Sequence, residues 1–148
     1  NADPRALQMC LDAWSVQERL GSPEGELAIA QALVFMATAA KSNAVYEALA
    51  AATQAVRNHP SLDVPMHLRN APTQMMKEMG YGDEYQYAHN HGGAFVPGES
   101  YFPPELHGSE FYHPVPRGLE IKIAEKLEQL KEQNRISEFQ RYPRETDE

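Results

Sequence analysis

Four histidines, His89, His91, His107 and His113, fall within one proline- and aromatic-rich stretch. Imidazoles grouped in this way can bind zinc or a similar ion. They also serve as surface or half-buried side chains bonded to backbone carbonyls. No H-E-x-x-H spacing favours the metal. The single cysteine, Cys10, excludes an internal disulfide and a multi-cysteine metal site. It lies between Leu7 and Trp14 on an apolar helical stripe, which suits a small core residue better than a nucleophile. No G-x-S-x-G elbow supports serine hydrolysis. Paired carboxylates can meet through any fold, but nothing in the sequence indicates such a pair. Neither Gly80-Tyr81-Gly82 nor Gly92-Gly93 is followed by the lysine and helix of a phosphate-binding loop.

Two further segments have the residue types of contact sites. Val64 to Pro72 places His67, Arg69 and Asn70 between two prolines. Such a segment is either a contact for a neighbouring subunit or domain, or a rigid connector whose polar side chains satisfy loose backbone groups. Residues 81–112 hold eight of the twelve tyrosines and phenylalanines, so this arm packs on something, its own core or a partner. The same window has no lysine or arginine, which argues against base stacking on nucleic acid.

The elements that hold these residues are mainly helices. Leu7, Cys10, Leu11 and Trp14 recur at i, i+3, i+4 and i+7 after Asp3-Pro4, predicting a helix over about 4–20 that ends at Gly21. Ser22-Pro23 restarts the pattern, and a helix over about 23–39 is apolar nearly all round, as expected of a central helix. A third helix over about 43–57 carries Val45, Leu49, Ala52 and Val56 on one stripe. Burial of Leu7, Trp14, Leu33, Leu49 and their like is expected to contribute roughly 1.5–3 kcal/mol each before entropy.

Eight of the eleven prolines fall in residues 59–116, which therefore form an irregular arm rather than long helices. Within it a short helix is expected, capped by Thr73 and stopped by Gly80. Tyr85 to His89 and Glu110 to Tyr112 are candidate strands of a short hairpin. The last helix, over about 117–134, carries a narrow stripe of Leu119, Ile123, Leu127 and Leu130 on a mixed-charge surface. The tail from Arg135 to Glu148 has few apolar anchors and is expected to fray. The fold class is all-α: a helical bundle, read as one domain over 1–148.

The 148 residues carry a net charge of -8, of which -7 lies in residues 1–116. Clustered cations, which phosphate binding requires, are lacking. The most apolar run, Leu27 to Ala40, is shorter than the ~20 residues of a bilayer span. No signal peptide is evident, and the lone cysteine fits a reducing cytosol. The start at Asn1-Ala2-Asp3-Pro4 reads as a helix cap, as if cut from a longer chain.

Several motifs in one order resemble a known family. Ala40-Lys41-Ser42-Asn43-Ala44-Val45-Tyr46 looks like its PKSNAAY helix start, and Val64 to Ala71 looks like its VPLHLRNA stretch. Met76 to Gly82, Tyr87-Ala88-His89, Tyr101 to Leu106, Phe111-Tyr112 and Gly118-Leu119-Glu120 follow in family order. The chain thus resembles, from Asp3 to about Leu130, the C-terminal region of the RarA/MgsA AAA+ ATPases. Val45 stands where alanine is usual, Asn90 to Gly93 is a variable turn, and no family motif follows Gln133.

The resemblance implies a collar-like helical domain that assembles a clamp-loader-type ATPase into a homotetramer for replication-fork maintenance and recombination in the cytosol. ATP and Mg would belong to an ATPase module outside this chain, which itself needs no cofactor, holds no metal and performs no hydrolysis. The implied partners are further copies of the chain, its own ATPase module, and DNA and replication proteins reached through the full-length protein, with no membrane. Lys41, Asn43, His67, Arg69 and Tyr87 are the candidate contact residues. The competing readings are a monomeric adaptor that touches DNA or a replication protein, and a small metal-dependent enzyme built on the histidines.

Overall fold

The computed structural model describes residues 1–142 and is all-helical, with no strand among them. Helix α1 spans Arg5–Leu20, α2 Glu24–Thr38, α3 Ala44–Asn58, α4 Gln74–Glu78 and α5 Glu120–Ile136. Short 3-10 turns at Met66–Leu68, Ala88–Asn90, Gly92–Ala94 and Pro104–Leu106 punctuate the segment between α3 and α5. The chain divides into two units: residues 1–51 with 111–125, and residues 52–110 with those from 126 on.

The helix ends follow from local chemistry. Asp3 Oδ1 accepts the Arg5 N–H at 3.2 Å, and Gly21, at φ +68°, closes α1 by donating its N–H to Gln17 O at 3.0 Å. The Ser22-Pro23 peptide is cis. Ser22 does not cap α2 through the backbone; its hydroxyl bonds the Glu26 carboxylate instead. Ser42 caps α3 by accepting the Ala44 N–H at 3.1 Å. Thr73 caps α4 by accepting the Met76 N–H at 3.2 Å, and Gly80 follows that helix at φ +83°.

The expected hairpin does not form. The stretch Tyr85 to His89 turns into a 3-10 element, with Asn90 N–H on Tyr87 O at 2.9 Å and His91 N–H on Ala88 O at 3.0 Å. Those local bonds use the backbone groups a ladder would need. Phe111 and Tyr112 belong to the other unit.

The buried seam of the first unit is made of small residues. Ala13 of α1 and Gly25 and Ala32 of α2 are buried where the two helices meet. A Cβ on Gly25 would lie 2.6 Å from Gln17 Cα, so the backbones approach closely there. The large residues of the expected apolar stripes lie outside this seam. Leu7 is 70% exposed, Trp14 67%, Leu33 62% and Leu49 68%. Within one copy, therefore, the burial expected of these four side chains does not occur.

Candidate assembly surface

The alanine and glycine seam draws α1 and α2 together and leaves a groove of about 350 Å³ along one side. Cys10, Trp14 and Gln17 from α1 face Ile29, Leu33 and Met36 from α2 across it. Leu7 and Leu11 continue the α1 stripe beside Trp14, both exposed. Glu18 is the one ionisable carboxylate of the lining. Cys10 Sγ lies 3.2 Å from Met36 Sδ. Leu27 and Val34, seven residues apart on the opposite side of α2, are 69% and 63% exposed and form a second apolar face.

Elsewhere in the first unit, a buried carboxylate joins residues from three parts of the sequence. Glu120, the first residue of α5, is fully buried. Its Oε2 accepts the Val115 N–H at 2.8 Å and the Ser42 hydroxyl at 2.9 Å, and its Oε1 lies 2.8 Å from the Asn1 amino group. Burial works to raise its pKa. The bonds from Asn1, Val115 and Ser42, with the Tyr112 hydroxyl nearby, outweigh burial and bring it down to about 2. Leu119 N–H bonds Ala2 O at 2.8 Å, a second link between residues 1–2 and the head of α5.

In the second unit, Glu99 plays the corresponding part. Its side chain is 1% exposed, and the Arg141 guanidinium bonds both oxygens. Arg141 also donates to the Glu84 carbonyl at 2.9 Å, and its N–H to Gly98 O at 2.9 Å. Tyr142 donates its hydroxyl to Phe102 O at 2.8 Å. Residues 137–142 are thus bound to the arm, against the expectation that the tail frays; the rest of that expectation, 143–148, lies outside the described residues. Burial pushes the Glu99 carboxyl up, but the bonds from Arg141 and the Ser100 N–H hold it below its ordinary range.

The five candidate contact residues do not converge on one site. Lys41 Nζ donates to Ala37 O and Ala39 O, both at 3.2 Å, closing the end of α2. Asn43 bonds Glu47 across the first turn of α3. His67 is buried, with Nε2 3.1 Å from Ser100 O and 3.6 Å from Glu99 Oε1. Arg69 donates to Val64 O at 2.7 Å, pairs with Asp63 at 3.2 Å and stacks over Tyr81. His67 and Arg69 do share the wall of one cavity in the second unit. Tyr87 is exposed, its ring 5.1 Å from that of His89. Among the described residues no three His, Cys, Asp or Glu side chains group as a metal site needs.

Sequence reasoning missed Glu120, Glu99 and Arg141, whose roles come from partners far along the chain. The one available signal at the tail was the company Arg141 keeps with Phe139 and Tyr142. The family model described as MgsA AAA+ ATPase C terminal matches residues 1–131. The chain belongs to that family. Curated MgsA-type relatives agree over most of its length, each named Replication-associated recombination protein A. The Escherichia coli K12 protein is 56% identical over 142 residues, covering 96% of this chain and 32% of the relative. The Coxiella burnetii protein is 57% identical over 141 residues, covering 93% and 32%. The Haemophilus influenzae protein is 54% identical over 142 residues, covering 96% and 32%. The chain spans about a third of the length of these relatives.

Proposed function

We propose that this MgsA-type C-terminal region assembles its parent protein into a homotetramer, so that ATPase modules are held in a fixed array at the replication fork. The supporting observation is the outward display of Leu7, Leu11, Trp14 and Leu33 on two helices, α1 and α2, whose buried seam is alanine and glycine. Exposed apolar surface on this scale marks an interaction site. The two apolar faces of α2 favour more than pairwise contact, because a copy with two faces can join two neighbours.

On this reading the chain performs no hydrolysis. ATP and Mg belong to the longer protein, as do its encounters with DNA and replication proteins. Among the described residues, no helix is long and apolar enough to cross a membrane. Lys41 and Asn43 act through the fold of the unit that carries the interface, His67 and Arg69 through that of the second unit, and Tyr87 is the one of the five with an exposed ring to offer a neighbour.

Light scattering or sedimentation of this chain tests the proposal. At tens of micromolar, an order of magnitude set by ordinary interface affinities, the mass should be four times that of one chain. A monomer under those conditions overturns it.

A further inference from the structure

We infer that the α1–α2 groove is occupied by the same groove of a second copy, with Trp14 of each chain seated against α2 of the other. This inference rests on the assembly reading above and specifies which face does the pairing and which side chain anchors it. Three observations carry it.

The first is area. Leu7, Leu11, Trp14, Ile29, Leu33 and Met36 stand exposed on the groove side of the two helices. At on the order of 100 Å² each they present roughly 600 Å², so two copies would bury about 1,200 Å², the lower edge of specific interfaces. The second is shape. Trp14 of α1 and Leu33 of α2, both largely exposed, line a trough of about 350 Å³, so the surface offers large exposed side chains beside a hollow. A surface with both can pair with itself about a two-fold axis, where residue i meets j and j meets i. The third is charge. Each chain carries -8, so a second copy is repelled by most of the surface. Along the groove the one carboxylate is Glu18. Like-charged copies can therefore approach here without burying a field of unpaired charge.

The opposite face of α2, with Leu27 and Val34, plays no part in this pairing. It remains free for a second, different contact.

Trp14 is the only tryptophan in the chain, so its fluorescence reads this face alone. The experiment is a dilution series of the chain, with mass from light scattering and tryptophan emission followed together under acrylamide quenching. The expected result is a blue-shifted, several-fold less quenchable Trp14 in the associated state, both changes reversing with mass on dilution. Leu33→Lys should weaken association at least 100-fold with helical circular dichroism retained. Leu27→Lys should leave Trp14 protected.

An associated chain whose Trp14 stays fully quenchable overturns this inference and leaves the assembly reading standing. A chain that remains monomeric overturns both. If Leu33→Lys fails to fold, the quenching of the unmodified chain decides the matter alone.

Discussion

Arg141 grips Glu99 with two parallel bonds, Nε at 2.7 Å from Oε1 and Nη2 at 2.8 Å from Oε2, both side chains almost wholly buried. A planar guanidinium matches a carboxylate in this way and an ammonium does not. Replacing Glu99 with Gln leaves the guanidinium without its buried counter-charge. The expected loss is about 3–5 kcal/mol of unfolding free energy, measured by urea denaturation. Arg141→Lys should recover only part of it. A change below about 1 kcal/mol in Glu99→Gln would show that the pair contributes little.

Acid should unfold the chain in a definite window. The Glu120 carboxyl is lowered in the fold from 4.5 to about 2, and Glu99 is lowered as well. A depressed carboxyl adds stability above its unfolded value and loses it as pH falls toward its folded one. Urea midpoints should therefore be flat above about pH 5 and decline steadily below it. Glu120→Gln should be weaker at neutral pH and decline less steeply in acid. Parallel curves for the two proteins would remove Glu120 from the account.

Gly98 is held at φ +80°, and a Cβ there would lie 1.8 Å from the Phe139 carbonyl oxygen. Neither the dihedral nor the space suits any other residue. Gly98→Ala should cost at least about 1–3 kcal/mol and release 137–142 to proteolysis before the helices melt. Unchanged cleavage of that segment would contradict the close approach.

Salt should strengthen assembly. Copies carrying -8 each repel one another, and the contact proposed is apolar. Raising salt from about 0.05 to about 0.5 M shrinks the screening length from about 14 to about 4 Å. The association constant should rise by several-fold in sedimentation. A fall would point to ion pairs between copies instead.

The helices were legible because each is framed by residues with one conformational meaning. Asp3 and Gly21 bracket α1, and Thr73 and Gly80 bracket α4. The 3.6-residue period placed Leu7, Cys10, Leu11 and Trp14 on one face of α1. It did not reveal whether Trp14 and Leu33 turn toward their own chain or away from it, because periodicity names a face and not its neighbour. The misread hairpin at Tyr85 to His89 has a different cause. Alternation over five residues is weak evidence, and bonds between near neighbours took the backbone groups first. The roles of Glu120, Glu99 and Arg141 went unread for a third reason. A buried carboxylate is defined by what surrounds it, and Ser42 is 78 positions away from Glu120, Arg141 42 away from Glu99.

The seam of Ala13, Gly25 and Ala32 has a thermodynamic corollary. Helices joined through such slight side chains remove little hydrocarbon from water by themselves. Most of the available driving force is released only when molecules meet. Resistance to heat then becomes a collective property: the melting temperature should climb with the number of molecules per unit volume, and a solitary copy should be the least durable form of this polypeptide.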